Sequence, residues 1–361
     1  MINRGLTMAG LLALLGAALG CGDLDNFNSA VNVRYAPDGT LVVFAGDAID
    51  LFDSDLSTRK ASIPTYPGIF SLSDDGNVAA VASSGGSESR IAIFSISLRR
   101  EMSSVDLGPS PADYAEDLAL SPRGDLVYVM GPVGSVGTTN LVNGGGDIGG
   151  IAMFDTGTGA QLWAGDWAIM PIFTPDGNTV YVSGNHGQDL QGFAARTGVQ
   201  GLDAPEPGDV AGFGMMPDVN TLIALVVPGC VPTPDLPCSL SIEFLSVADG
   251  SVLRQFPLVA NTVLSGDGPL GLPAFRCSTA AGLCAVNLGR VSPPSDLVSG
   301  GQVQVWTTGG AMRQAIFTGA TDLAISPDGQ FLAIATRGDA EVYRISDGQL
   351  VNSRHYTGMI F

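Results

Sequence analysis

The side chains able to do chemistry are few and widely spaced. Asn185, His186 and Asp189 bring an amide, an imidazole and a carboxylate into one glycine-containing stretch, a set that could converge on a small polar ligand or a cation. His186 is one of only two histidines, and a lone histidine in such a loop is more often a solvated polar residue than a ligand. Tyr114, Glu116 and Asp117 form a second polar group and Arg290 stands alone; each also reads more readily as solvated than as functional. These positions make Tyr114, Asn185, His186, Asp189 and Arg290 the candidate binding residues. Gly144-Gly-Gly-Asp-Ile-Gly149 could suggest a calcium turn but lacks the regular repeat such sites need. There is no G-x-S-x-G elbow, no H-E-x-x-H and no closely spaced Cys/His set, and His355 has no obvious partner. No catalytic residue, metal ligand or cofactor is therefore assigned.

Sulfur supplies the most definite chemistry. Cys230 and Cys238 bracket a proline-rich loop, and Cys277 and Cys284 flank a short turn that would set them opposite each other across two antiparallel strands. Four cysteines allow three connectivities. Locality favours Cys230 with Cys238 and Cys277 with Cys284, an arrangement that belongs in an oxidising compartment.

The elements that must position these residues form a repeat. Asp322-Leu-Ala-Ile-Ser-Pro-Asp-Gly-Gln-Phe-Leu-Ala-Ile-Ala335 is two apolar runs around Pro327-Asp328-Gly329, where proline presets φ, aspartate caps the turn and glycine takes the left-handed position of a hairpin. The unit recurs at Tyr35–Gly39, Leu72–Gly76, Leu120–Gly124 and Phe173–Gly177, and in degraded form at Met216–Asn220 and Ser278–Gly282. After each hairpin comes an apolar strand carrying one aromatic: Phe52, Phe94, Phe154, Phe193, Phe244, Trp306 and Tyr343. A glycine turn and a more polar strand follow most of them. Two hairpin strands, an aromatic strand and a polar strand make one four-stranded blade of roughly 40–50 residues. The sequence thus predicts an all-β fold, a seven-bladed β-propeller of four-stranded antiparallel blades over residues 30–361. The chain enters on the first strand of blade 1 (Ala30 to Tyr35) and leaves on the last strand of blade 7 (Gln349 to Tyr356), which would give no interlocked blade, but the sequence leaves ring closure open, since Thr357 to Phe361 could pair elsewhere.

Ser-Pro-Asp-Gly followed by strands such as Leu126–Val129 and Val180–Ser183, and then by the aromatic strand, resembles the YVTN and WD40-like repeats of bacterial envelope propellers. That resemblance implies a fold but no single function. Such propellers serve as scaffolds, sensors, lactonases and quinoprotein domains alike.

Residues 1–21 read as an address. Arg4, the apolar run Leu6 to Leu19 and Ala18-Leu19-Gly20-Cys21 resemble a bacterial lipoprotein signal ending at a lipidated Cys21, although Ala18 and Leu19 stand in the reverse of the usual order. Residues 22–29 would then be a short polar tether. The chain carries a net charge of −19 with a single lysine, Lys60, and so suits neither nucleic acid nor an anionic membrane surface. Membrane contact is expected only through the N-terminal lipid, on a periplasmic or outer-membrane face.

The long connections all fall between second and third strands or between blades: Gly131 to Gly150, Pro228 to Ser239, Leu288 to Gly301, Gly108 to Glu116, Leu202 to Val210 and Leu258 to Leu272. In a propeller these share one face. The expectation is a non-enzymatic binding or scaffold lipoprotein of the cell envelope, meeting envelope proteins through that face. The alternative is a channel-site enzyme, lactonase-like with a metal or a degenerate quinoprotein.

Overall fold

The computed structural model describes residues 31–83, 89–108, 115, 117–131, 150–165, 168–184, 189–205, 209–216, 220–227, 240–258, 274–288, 301–336 and 338–356. They form seven four-stranded antiparallel sheets, each built from consecutive strands in chain order. Blade 1 takes Asn32–Tyr35, Leu41–Ala45, Ala48–Phe52 and Arg59–Pro64, and blade 2 takes Gly68–Leu72, Val78–Ser83, Ser89–Ser95 and Arg100–Gly108. Asp117–Leu120, Leu126–Gly131, Gly150–Asp155 and Gln161–Gly165 make blade 3; Ala168–Phe173, Thr179–Gly184, Asp189–Ala194 and Gln200–Pro205 make blade 4. Blade 5 is Asp209–Met215, Thr221–Val227, Ser241–Ser246 and Val252–Pro257, and blade 6 is Phe275–Ser278, Leu283–Leu288, Gln302–Thr307 and Met312–Ile316. Asp322–Ile325, Phe331–Ala335, Asp339–Arg344 and Leu350–His355 complete blade 7.

The Ser-Pro-Asp-Gly turn is a closed set of hydrogen bonds. In blade 7 the Gly329 amide donates to the Ser326 carbonyl at 2.9 Å, and the Ser326 hydroxyl donates to Asp328 Oδ1 at 2.6 Å. That carboxylate also accepts from the Gln330 amide, and Ser326 Oγ accepts from the Phe331 amide. Ser73 with Asp75 and Thr174 with Asp176 repeat the pattern. The Thr174 hydroxyl and the Asn178 amide hold the Asp176 carboxyl below its ordinary range. Gly329 sits at φ +68°, where an L-residue would be strained. In blade 6, where this chemistry is missing, Cys277 and Cys284 are directly opposed and disulfide-bonded, as expected. The other expected pair, Cys230 with Cys238, lies outside the described residues, as do Cys21 and the whole of residues 1–30.

A β-bulge accompanies the recurring aromatic. In every sheet the register between third and fourth strands shifts there, immediately before Phe52, Phe94, Phe154, Phe193, Trp306 and Tyr343. Blade 5 differs: the shift falls after Phe244, so Leu245 holds the position of the other six aromatics. Side chains alternate across a strand, and one residue of phase reverses the face. Leu245 accordingly packs into the blade 4–5 core, whereas Phe244 turns toward blade 6 and packs with Phe256 and Trp306.

Seven apolar clusters, one per seam, hold the ring. The fourth strands are the exposed rim; Val252–Gln255 of blade 5 are all exposed. Among the described residues no strand is exchanged at closure. Blades 7 and 1 meet through a cluster containing Val33, Phe52 and Leu56 on one side and Ala324, Ala333 and Val342 on the other. Asn352 also donates to the Asp55 carbonyl at 2.8 Å.

Candidate functional site

First strands of neighbouring blades contact one another around the ring, so they line its bore. Each runs from the face that carries the between-blade connections toward the face of the Asp-Gly turns. Charged groups near the start of a first strand therefore stand at the bore's mouth on the connection face. Asp117 and Asp322 open the first strands of blades 3 and 7, Arg276 is second in blade 6 and Arg34 third in blade 1.

Asp322 is the hub of this group. Its Oδ2 accepts from the Val33 amide at 3.2 Å and from Arg34 Nη1, while Oδ1 lies 3.2 Å from Arg276 Nη2. One carboxylate thus ties blades 6, 7 and 1 together. The Asp322 side chain is 6% exposed and that of Arg276 is 42% exposed. Protein nonetheless surrounds Arg276 closely enough for burial to lower its pKa, with Arg34 adding repulsion. Both facts suit a cation held in a narrow, water-accessible bore. The Asp117 carboxyl is pushed up to about 6, chiefly by burial. Arg276, the Leu118 amide and Arg34 oppose that rise, and Asp322 adds to it. The mouth therefore holds two guanidiniums and two carboxylates, one of which takes up a proton under mildly acidic conditions.

Chemically this set is suited to binding. Arg276 has donors to spare beyond Asp322 and the Phe275 carbonyl, so an anionic or carbonyl group entering the bore would meet a charged donor. Two carboxylates interleaved with two guanidiniums make a poor cation cage, since guanidinium repels a metal and does not ligate it. Among the described residues no group of three or more His, Cys, Asp or Glu is placed to hold a metal.

Of the residues singled out in the sequence, Asp189 is described, as the first residue of the third strand of blade 4, paired with Gly184 and Pro205. Tyr114, Asn185, His186 and Arg290 lie outside the described residues, as does Glu116. The expectation for Asp117 is corrected: it does not precede the first strand of blade 3 as a solvated residue but begins it, enclosed by the bore. Sequence reasoning also passed over Arg34, Arg276 and Asp322 as functional groups. The available signal was one charge in an otherwise largely apolar first strand, as in Asp117-Leu-Ala-Leu120 and Asp322-Leu-Ala-Ile325. The long connections leave from strand ends on this same face, with Gly131 and Gly150 the flanking residues in blade 3, Val227 and Ser241 in blade 5, and Leu288 and Gln302 in blade 6. One expected boundary moves, because the fourth strand of blade 4 continues past Leu202 to Pro205.

No protein-family model matches the sequence, and no curated protein matches it. Solved structures do. The chain is similar to hydrazine synthase of Kuenenia stuttgartiensis, with a TM-score of 0.59 at 14% identity, over 94% of this chain and 99% of that one. A chain of the mitotic checkpoint complex aligns with a TM-score of 0.57 at 13% identity, over 90% and 92% of the two chains. KlHsv2 with loop 6CD replaced by a Gly-Ser linker aligns with a TM-score of 0.60 at 14% identity, over 91% and 99%. At such identities the likeness establishes the propeller fold, WD40-like propellers included, and nothing about activity.

Proposed function

We propose that this propeller is a non-enzymatic binding scaffold of the bacterial cell envelope, of the YVTN-like kind, exported as a lipoprotein through Cys21 and engaging envelope proteins with its connection face. The observation that carries the reading is the asymmetry between the faces. On one face the turns are short, and the Asp-Gly turns among them share one hydrogen-bonded geometry. On the other, strand ends open into connections of very different length around a bore whose charges are largely matched internally. A rigid ring that varies only on one side is built to present that side.

The test is a comparison of wild type with a deletion of residues 138–146, between Gly131 and Gly150. Shortening that connection changes closure entropy by only on the order of 1 kcal/mol, so thermal stability should be unchanged while envelope partners recovered by pull-down are lost. Retention of the same partners through deletions in all three long within-blade connections would overturn the reading. Export is tested separately, by intact mass and detergent partitioning. A mature chain beginning at acylated Cys21, abolished in Cys21→Ser, is expected; an unmodified chain beginning elsewhere would remove the lipid anchor.

A further inference from the structure

The outer edge of each seam follows a rule that one blade breaks. The turn between the third and fourth strands of a blade packs on the fourth strand of the blade before it. In blades 3 to 7 the packed residue is a left-handed glycine at which an added Cβ would crowd that strand. A Cβ would lie 2.9 Å from the Ser104 carbonyl oxygen at Gly159, 2.7 Å from Trp163 at Gly198 and 2.5 Å from Ala204 at Gly250. It would lie 3.1 Å from Phe256 at Gly310 and 2.8 Å from Gln314 at Gly348. Blade 1 differs: in a turn of the same length its left-handed residue comes one place earlier, Leu56 at φ 64°, buried in the blade 7–1 core. Blade 2 puts Arg99 in the glycine's place at φ 55°, and at this seam the edge opens into a cleft of about 300 Å³.

The cleft has an apolar floor and a cationic lip. Ile63 and Phe94, both buried, lie beneath, with Pro64 beside them. Tyr66, nearly half exposed, forms one wall; the Arg90 guanidinium lies 5.2 Å from its ring centroid, and Arg90 Nη2 donates to the Tyr66 hydroxyl at 2.9 Å. Arg90 also grips both oxygens of Glu101 at 3.2 Å, which neutralises the one carboxylate in the lining. Arg99 and Arg100 remain, and neither forms an ion pair with a described residue. Thr65, also in the lining, has a hydroxyl buried without a hydrogen-bond partner. Leu98 and Met102 flank the arginines in the chain and are exposed, so apolar surface continues beyond the cleft.

We propose that this rim cleft docks an acidic segment of a partner protein, with an apolar or aromatic side chain entering the cleft and flanking carboxylates meeting Arg99 and Arg100. Charge selects the occupant. In a chain of net charge −19, two adjacent arginines without carboxylate partners form a local cationic site with the polarity opposite to the rest of the surface. A second copy of so acidic a chain is repelled overall. Nucleic acid needs more phosphate contacts than two arginines provide, and an inorganic anion would leave the apolar floor uncovered. The site lies on the rim and does not depend on the connection-face reading.

The test uses the full mature chain and a fluorescently labelled acetyl-Glu-Glu-Phe-Glu-Glu-amide, followed by anisotropy. Saturable binding is expected, weakened tenfold or more by Arg99→Gly, by Arg100→Gln, by glycine in place of the central phenylalanine, and by raised salt. Arg99→Gly installs the residue type of blades 3 to 7 and removes a left-handed arginine, so a fall in affinity without a fall in Tm cannot be ascribed to unfolding. Absence of saturable binding, or equal affinity in the variants, overturns the proposal. So does an Arg99-dependent dimer in sedimentation, or Arg99-dependent binding to phosphatidylglycerol vesicles without binding to the peptide.

Discussion

The seam between blades 7 and 1 and the seam between blades 1 and 2 start from a similar irregularity, a left-handed residue other than glycine in the outer turn, one place earlier in blade 1 than in blade 2, and end differently. At the first, Leu56 fills the space, Arg354 lies 5.1 Å from the Phe52 ring centroid and Asp322 bridges the inner edge. At the second, Phe44 stacks on Phe70 at 5.2 Å to give a sound inner core, while the outer edge stays open beneath Arg99. Among the described residues, closure of this ring is thus a matter of side chains rather than exchanged strands. Where the chain's first and last blades meet, every level of the seam is fastened. Where two consecutive blades meet, covalent continuity already holds them, and the outer edge can be left for another use.

The largest effect should come from the fastening itself. Asp322→Ala leaves Arg34 and Arg276 facing each other in the bore and strips the Val33 amide of its partner. Breaking one side of an enclosed ion network costs about 3–5 kcal/mol, and denaturant unfolding should show that loss. A loss below about 1 kcal/mol would mean that apolar packing alone closes the ring. Next in size is Leu56→Gly. It removes a buried leucine, at about 2–5 kcal/mol, and relieves a left-handed leucine by about 1 kcal/mol, while the freedom glycine brings to the unfolded chain adds about 0.4–1 kcal/mol of loss, for a net loss of roughly 1–5 kcal/mol.

How much of this was legible in the sequence follows from the range of each interaction. The hairpin turns and the aromatic strands are local, since proline, aspartate and glycine act within five residues, and both are found where the spacing places them. Phe244 shows the limit of pattern reading. It matches the aromatic rhythm, yet its bulge lies on its other side, and only strand pairing reveals that Leu245 is the equivalent residue. The bore network was not legible, because residues 34, 117, 276 and 322 meet only when the ring is closed. Arg99 was hidden for another reason. A left-handed φ leaves no mark in the sequence when the residue is not glycine, and the glycines of the other blades signal an exception only once the blades are superposed.

Asp117 tests how closely the bore encloses the charges that face it. Its carboxyl holds a proton up to about pH 6 in the fold, against an ordinary value of 3.8. Between those values the native state binds more protons than the unfolded chain, so this group's contribution to stability falls as pH rises from about 4 to 6 and stays reduced above. Asp117→Asn should therefore stabilise the protein at pH 7 by about 1–2 kcal/mol, allowing for screening by water in the bore, with the difference gone by pH 4. The Tm of the two proteins across that range gives the answer. A pH-independent difference would mean that the Asp117 carboxyl is solvated rather than enclosed by the bore.

The smallest effect is the one that separates the two seams most cleanly, because it makes in the outer turn of blade 2 the same kind of change, a left-handed residue to glycine. Arg99→Gly relieves an arginine at φ 55°, worth about 1 kcal/mol, and removes a side chain that lines an open cleft and forms no ion pair with a described residue. Against this stands the greater chain freedom that glycine brings to the unfolded state, about 0.4–1 kcal/mol. The two nearly cancel, so Tm should move by no more than a few degrees and in the opposite direction to Leu56→Gly, or not at all. If both substitutions destabilise to the same extent, Arg99 is packing the blade 1–2 seam as Leu56 packs its own, and the cleft is only an incompletely filled joint. If Arg99→Gly is neutral while Leu56→Gly is not, the arginine is dispensable for the ring, and its presence needs a reason outside the fold.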